Sequence, residues 1–308
     1  MASRPDHMHT VPAGYLRAFA STSVPRRKPH LWQFGREAPL PKLISVRDAS
    51  VCRDIYTLRA EDGKADTTIE TELFSSAVEN SFPAVVQLLS SGGTPRYWQW
   101  RNISRFMAFQ LARTPRMFQI FRDEGSRQGL DIGPNDPQLA MVHQAPFLEK
   151  WLCGMTWILC WNRSTLPLLT CDNPVVMWAN RGEGAELGVG FQEPALRILF
   201  PLTPRMCLTA VQTKASLKAV LDDLPESRPR FSAFYPLQVN TGWLGIDHAV
   251  ILNQVVVSNA ERYVYANSDD DKVRLFLNDF FFGLSGPVRR LDRKPIGSPL
   301  DPEQGVSI

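Results

Sequence analysis

The chain has 308 residues, of which 44% are hydrophobic and 21% charged, with eight Trp and 17 Phe. This is ordinary globular composition and excludes disorder over most of the length. A net charge of +3 with a pI near 8.6 is too weak to mark a nucleic-acid binder, which asks for a pI above about 9 and clustered basic side chains.

Five cysteines, an odd number with no C-x-x-C spacing, exclude a disulfide framework and a zinc site and point to a reduced, cytoplasmic setting. The first 17 residues carry Arg4, Asp6, His7 and His9 without an apolar core, so they do not read as a secretion signal. The longest apolar runs, such as Trp151 to Trp161, are about half of the ~20 residues that span a bilayer, so no membrane partner is expected.

In chain order, Pro12 opens a helix with Tyr15, Leu16 and Phe19 on one face. A short strand follows at His30 to Phe34. Residues 66–90 read as a helix with Asp66, Thr67 and Thr68 at its start and a kink at Pro83. Pro95 opens a long helix to about Glu124, bent at Pro115, and another helix runs from about Gln138 to Trp161. That reading places Cys153 and Cys160 on one buried helix face. Trp98, Trp100, Trp151, Trp157 and Trp161 recur at near-helical spacing and read as core.

The second half changes character. Leu166 to Trp178 reads as strand, turn and strand about Asp172-Asn173-Pro174. Leu196 to Phe200 and Cys207 to Gln212 are further strands, Lys214 to Leu221 a short helix, Ala249 to Asn259 an apolar helix, Arg262 to Ala266 a β-rich piece and Asp269 to Phe282 a last helix. Asn253, inside an apolar run, reads as a buried hydrogen-bonding residue that fixes packing. The expected fold is α+β: a mostly helical N-terminal half, about residues 1–162, packed on a mainly antiparallel sheet from about 163–288. The two parts form one domain over 1–288, followed by a flexible tail over 289–308.

No G-x-G-x-x-G, P-loop, H-E-x-x-H or G-x-S-x-G is present, which removes the commonest nucleotide, zinc-protease and hydrolase motifs. The segment His9-Thr-Val-Pro12-Ala-Gly-Tyr15-Leu16-Arg-Ala-Phe19 resembles instead the H-x-x-P-x-x-Y-L-x-x-F signature of a bacterial and fungal family, domain of unknown function 4238. Ile69-Glu70 with Glu72 and Glu79 nearby, Gln110 with Arg113, Thr170-Cys171-Asp172-Asn173-Pro174 and Phe200 to Pro204 also look like that family. The resemblance spans about residues 9–266 and supplies candidate positions but no reaction.

The residues themselves suggest chemistry. His9 is poised for proton transfer or metal binding, and reads equally as a cap for the following helix. Glu72 and Glu79, seven apart, share an α-helical face, with Glu70 pointing elsewhere. They read as a solvated face, or as one carboxylate turned inward to serve as a base or metal ligand. Gln110 and Arg113 are neighbours on an otherwise apolar helix. They read as a phosphate clamp, or as an ion pair with Glu72 or Glu79 that locks two helices. Asp172 ends a strand, with Thr170 beside it, and Asp-Asn-Pro is also an ordinary turn.

Brought together, His9, Glu72 and Asp172 would be catalytic, with Gln110, Arg113 and Tyr15 binding substrate. Asp172 and Glu72 would then hold any divalent cation, a cofactor the sequence leaves open. The expected activity is a phosphoester-directed hydrolase, a nuclease or nucleotide hydrolase. The alternative is a non-catalytic sensor of a small anionic ligand such as a nucleotide. Nucleic acid is a partner only in the first reading. The clusters Arg26-Arg27-Lys28, Arg228 with Arg230, and Arg289-Arg290 with Arg293-Lys294 are flanked by proline and read as solvated loops or as phosphate-facing groups.

Overall fold

The computed structural model describes residues 8–23, 28–60, 62–180, 185–212, 228–230, 239–282 and 289–290. At its centre lies an eight-stranded sheet. Its order is Arg228–Arg230, Val239–Leu244, Thr156–Asn162, Met206–Val211, Leu196–Thr203, Val176–Asn180, Ala185–Leu187 and Arg289–Arg290. Neighbours run antiparallel except Val239–Leu244 beside Thr156–Asn162 and Arg289–Arg290 beside Ala185–Leu187.

Strand geometry sends alternate side chains to opposite faces. Trp157, Leu159, Leu208, Ala210, Ile198, Phe200, Met177 and Ala179 enter one core. Ile158, Cys160, Cys207, Val211, Leu199, Val176 and Trp178 enter the other. A sheet covered on both faces needs unbroken apolar strands, and W-I-L-C-W and M-C-L-T-A-V supply them.

The first core is closed by helices from the first half of the chain. These are α1 (Ala13–Leu16), a π-helix over Ile69–Glu79, α2 (Phe82–Ser90), α3 (Tyr97–Ala112), α4 (Pro115–Arg127) and α5 (Asp136–Cys153). Proline begins helices here more than it bends them. Pro115 is the first residue of α4, where its missing N–H has no role, and Thr114 Oγ1 caps the turn by accepting from Met117 N at 3.2 Å. Pro83 likewise sits in the first turn of α2.

The second core is closed by α6 (Ile246–Asn259) and α7 (Asp271–Leu277). An antiparallel four-stranded sheet joins both cores, in the order Ala38–Ser45, His30–Gly35, Tyr263–Ala266, Thr170–Cys171. Leu31 and Tyr265 face the first core, and Phe34, Val264 and Cys171 the second.

The expected division into a helical half followed by a sheet half does not hold. His30–Gly35 and Ala38–Ser45 place the first half of the chain in the four-stranded sheet. Met8–His9 pairs with Val51–Cys52, and Leu58–Arg59 with Ala65–Asp66. Ala38–Ser45 contains Pro39 and Pro41, which speak against a strand, but it is an edge strand, where a missing N–H removes no ladder bond.

The helix expected to reach Trp161 stops at Cys153 with Gly154 as its C-cap. The β-branched and aromatic run Thr156–Asn162 becomes an inner strand. Cys153 and Cys160 therefore share no helix face, and Cys160 lies opposite Cys207 across the sheet. The helix expected at Lys214 to Leu221 lies outside the described residues, as do Arg26, Arg27 and the chain beyond Arg290. Among the described residues no helix is long and apolar enough to cross a membrane.

Asn253 pins α6 to the chain before Thr170. Its Oδ1 accepts from Leu169 N at 2.9 Å and its Nδ2 donates to Pro167 O at 2.8 Å, all buried. Asn253→Leu keeps the volume and strands both backbone groups, so stability should fall by about 2–4 kcal/mol. The urea midpoint would show this with an unchanged m-value; a loss below about 0.5 kcal/mol would mean the two groups find other partners.

Candidate functional site

Residues 8–19 run along the seam between the helices and the sheets. Thr10 is anchored to Ser50 O twice, through its N–H at 2.9 Å and its Oγ1 at 3.1 Å. Tyr15 follows on α1 with 1% of its surface exposed. Its hydroxyl donates to Pro201 O at 2.7 Å, which leaves it to accept from Thr170 Oγ1 at 2.6 Å. The ring stacks on Phe200 with centroids 5.2 Å apart. Burial pushes this phenol well above its ordinary range. Tyr15 is thus a donor tying α1 to strands of both sheets.

Arg113 caps the C-terminus of α3 and has no exposed surface. Nε donates to Thr10 O at 3.0 Å and Nη1 to Glu79 Oε1 at 2.9 Å, while the guanidinium lies over the Phe74 ring at 4.7 Å. Gln110 turns its amide oxygen to the guanidinium and accepts from Nε and Nη2, because an NH2 group there would set donor against donor. Tyr56 OH donates to Arg113 O at 3.1 Å, and its ring meets Phe74 edge-on at 4.9 Å. Desolvation raises the Tyr56 phenol too.

The second carboxylate near Arg113 is Glu70. Burial and the repulsion of Glu79 push its carboxyl up to about 7, and the attraction of Arg113 only partly opposes them. Among the described residues, Glu70 Oε2 is buried and has no hydrogen-bond partner.

Helix geometry explains why Glu70, and not Glu72, joins Glu79. Nine residues make about two and a half turns of an α-helix at 3.6 per turn, which would set Glu70 and Glu79 on opposite faces. Hydrogen bonds from i to i+5 widen the spiral to more than four residues per turn, so nine residues close on about two whole turns. In the π-helix Glu70 and Glu79 share a face, and Glu72 is exposed. Ser75 Oγ donates to Glu70 O at 2.9 Å, following the same i+5 spacing.

The side chains of two expected members of the site bond backbone groups. His9 Nε2 donates to Arg47 O at 2.9 Å, and no described contact joins the ring to Arg113, Glu70 or Asp172. Asp172 accepts three backbone N–H bonds, from Glu261 at 2.8 Å on Oδ1 and from Arg262 and Tyr263 at 2.7 and 3.0 Å on Oδ2. Burial pushes this carboxyl up and the three amides pull against it. Asp172 therefore organises the entry to Tyr263–Ala266. Its neighbour Asn173 has no exposed surface, and among the described residues neither atom of its side-chain amide has a hydrogen-bond partner.

The structure thus brings together Gln110 and Arg113 and joins Tyr15 to them through residues 10–15 of the backbone; His9 meets the cluster through its carbonyl, which Tyr56 OH reaches at 3.5 Å, while the His9 ring and the Asp172 carboxylate bond backbone groups. Sequence reasoning passed over Tyr56 and gave no role to Glu70 or Asn173. Ile69-Glu70 had been singled out, but a 3.6-residue period hid its alignment with Glu79. Among the described residues no group of three or more His, Cys, Asp or Glu side chains is placed to hold a metal ion.

Residues 8–270 match the model of the family described as "Protein of unknown function (DUF4238)", and the chain belongs to that family. Comparison with curated proteins found no match, and comparison with solved structures found none.

Replacing Arg113 with Met strands Glu79, Thr10 O and Gln110 around an apolar side chain. A loss of about 3–5 kcal/mol is expected, as when one member of a buried ion pair is removed. Arg113→Lys should recover less than half, because an ammonium cannot serve the carbonyl, the carboxylate, the amide and the Phe74 face at once. Glu79 is a quarter exposed, so Glu79→Gln should cost less than either. Urea unfolding of the three variants checks that order, and a near-neutral Arg113→Met would contradict it.

Proposed function

We propose that this chain is a hydrolase working by carboxylate acid–base chemistry, with Glu70 as the group that moves the proton. One observation carries the reading. Glu70 combines a carboxyl pushed to about 7 with a buried oxygen that no neighbour engages. A general base works best when its pKa lies near the operating pH, and a raised carboxyl with a named perturber is a functional-site candidate.

Glu79 and Arg113 supply the tuning. Glu79 repels charge on Glu70 and so raises its proton affinity, while Arg113 holds Glu79 in place and limits the rise. In the proposed step, ionised Glu70 takes a proton from a water molecule as the water oxygen attacks the ester centre. Protonated Glu70 then returns that proton to the leaving oxygen as its bond breaks, giving acid and alcohol with Glu70 ionised again.

Phosphoesters, including nucleotides and nucleic acids, are the substrate class we propose. Arg113 is fully enclosed and cannot clamp a phosphate. A phosphoester arriving beside Glu70 and Glu79 would need its charge neutralised, and a divalent cation entering with the substrate meets that need.

A structural reading has its own support: Arg113 has every direction occupied, as in a network that locks helices to the N-terminal segment. The two readings separate at Glu70. Hydrolysis of phosphodiester and phosphomonoester substrates, with and without Mg2+ or Mn2+, should rise with pH through a midpoint near the Glu70 value of about 7. Glu70→Gln should remove that limb and lower the rate by about 10²-fold or more. A folded Glu70→Gln with an unchanged rate and profile would leave only the structural reading.

Stability gives an assay-free check. The folded chain binds the Glu70 proton more tightly than the unfolded chain between the ordinary value of 4.5 and about 7. The protonated form therefore stabilises the fold, and that contribution is lost as pH rises through this window. Glu70→Gln, which cannot ionise, should show a flatter Tm-against-pH curve between pH 5 and 8, with its largest gain over the wild type at pH 8. Parallel curves would refute the raised proton affinity.

A further inference from the structure

We infer that Cys160 and Cys207 are a redox latch: two buried thiols on neighbouring strands of the central sheet that a low-molecular-weight disulfide oxidises to one reversible cross-strand disulfide. The proposal is independent of Glu70. Cys160 is 2% exposed and Cys207 0%, and both enter the second core. All five cysteines are free thiols in this structure. An odd count excludes a framework in which every cysteine is paired, but leaves room for a single pair.

The pairing comes from the ladder between Thr156–Asn162 and Met206–Val211, in which Cys160 stands directly opposite Cys207. Two positions along the same register, Asn162 N donates to Arg205 O at 2.8 Å. By alternation Cys160 and Cys207 are a hydrogen-bonded pair too, with Cα atoms about 5.5 Å apart. A disulfide spans Cα separations of roughly 4.4–6.8 Å. Directly opposed side chains leave the same face, with Cβ atoms about 4.5–5.5 Å apart. A disulfide draws Cβ atoms to about 3.5–4.5 Å, so closure asks the strands to approach a little further and leaves the bond open to reduction by a thiol. The two sulfurs already meet: their hydrogen bond, with burial, pushes the Cys207 thiol well above its ordinary range. Cys171 shares this core but is engaged elsewhere, donating to Asn173 O at 3.1 Å. Cys52 and Cys153 are half-buried, on Val51–Cys52 and at the end of α5.

The chemistry is thiol–disulfide exchange. One protein thiol loses its proton, and its sulfur attacks a sulfur of the small disulfide and expels one small thiolate. The second protein thiol loses its proton, attacks the first sulfur and expels the other small thiolate. Two protons and two electrons leave the protein, and the small disulfide takes them up to become two thiols. Only thiolates attack, and an enclosed thiol held above its ordinary range, as Cys207 is, forms one rarely. The bond therefore forms fastest while the chain folds and the ladder is closing, and slowly once the sheet is complete. It joins two inner strands that are already neighbours. Oxidation thus changes resistance to unfolding and leaves the arrangement as it is.

The test takes the full chain, reduced and unfolded in guanidinium chloride, and refolds it in mixed reduced and oxidised glutathione. Free thiols are then counted by intact mass after reaction with N-ethylmaleimide in denaturant. Three of the five cysteines should react, and a protease digest should yield the Cys160 and Cys207 peptides joined. The folded, reduced chain placed in the same buffer should cross-link roughly tenfold more slowly. The oxidised chain should unfold at a urea concentration higher by about 1 M, and dithiothreitol should abolish that shift. Cys160→Ala and Cys207→Ala should each leave every remaining thiol reactive. Five reactive thiols after refolding, a bond through Cys52, Cys153 or Cys171, thiol loss persisting in Cys160→Ala, or an oxidised chain no more resistant to urea would each overturn the proposal.

Discussion

A guanidinium with no access to water is the constraint around which this fold is arranged. Moving a charged group out of water carries a penalty of several kcal/mol unless its donors are met in good geometry. Arg113 has that penalty answered by four groups from three pieces of chain: the Thr10 carbonyl, the Glu79 carboxylate and Phe74 ring of the π-helix, and the Gln110 amide of its own helix. None of these can shift without leaving a charge unmatched. The N-terminal segment, the π-helix and α3 therefore hold one relative position. Thr10 passes the restraint to Ser50, and Ser50 to Tyr265 through hydroxyls 2.7 Å apart. Tyr15 passes it to Thr170 and Pro201. One buried charge in the helical layer thus fixes the register of the helices against both sheets.

The π-helix follows from the same constraint. Its i+5 geometry is the rarer choice and forgoes the better packing of an α-helix. What it gains is Phe74 under the guanidinium, Glu79 at its Nη1 and Glu70 on the same side. Two carboxylates and one enclosed cation then share a small volume. The pair cannot both ionise freely, so the member without a direct bond to Arg113 absorbs the strain as a raised proton affinity. The tuning of Glu70 is in this sense a by-product of locking Glu79.

The sequence showed much of this and hid the rest for definable reasons. Gln110 and Arg113 stood out because polar residues three apart in an apolar helix must find partners, and Asn253 stood out in the same way. The strands Leu196–Thr203, Met206–Val211 and Tyr263–Ala266 were legible from apolar runs bounded by turns. Thr156–Asn162 was not, because a continuous apolar run fits a buried helix as well as a buried strand; only Gly154 and Met155 separate it from α5. The hairpin strand Ala38–Ser45 was masked by its prolines, which are tolerated because of its edge position, a tertiary fact. Asp172 looked catalytic because a carboxylate at a strand end can face a cleft. Its three amide partners come from residues about ninety positions away, beyond any local reading. Glu70 was hidden by the helix type itself, since every argument about shared faces used a period of 3.6.

Unmade hydrogen bonds separate the structural part of the network from the part that stability alone does not explain. A buried polar atom without a partner costs about 1–3 kcal/mol, against a net stability of about 5–15 kcal/mol for a typical domain. Arg113, Tyr15, Gln110 and Asp172 carry no such debt, and their residue types are accounted for by the contacts they make. Among the described residues Glu70 Oε2 and both amide atoms of Asn173 do carry it, as do single atoms of Gln138, Trp178 and Asn267. A Gln or Met at 70, or a Leu at 173, would remove the cost while filling similar space. The contacts these two side chains make therefore do not account for their residue types. They flank the segment 8–19 on its two sides, Glu70 through Arg113 and Asn173 through the Thr170–Cys171 strand that Tyr15 holds. Both unmatched groups thus adjoin the stretch that Arg113 and Tyr15 anchor.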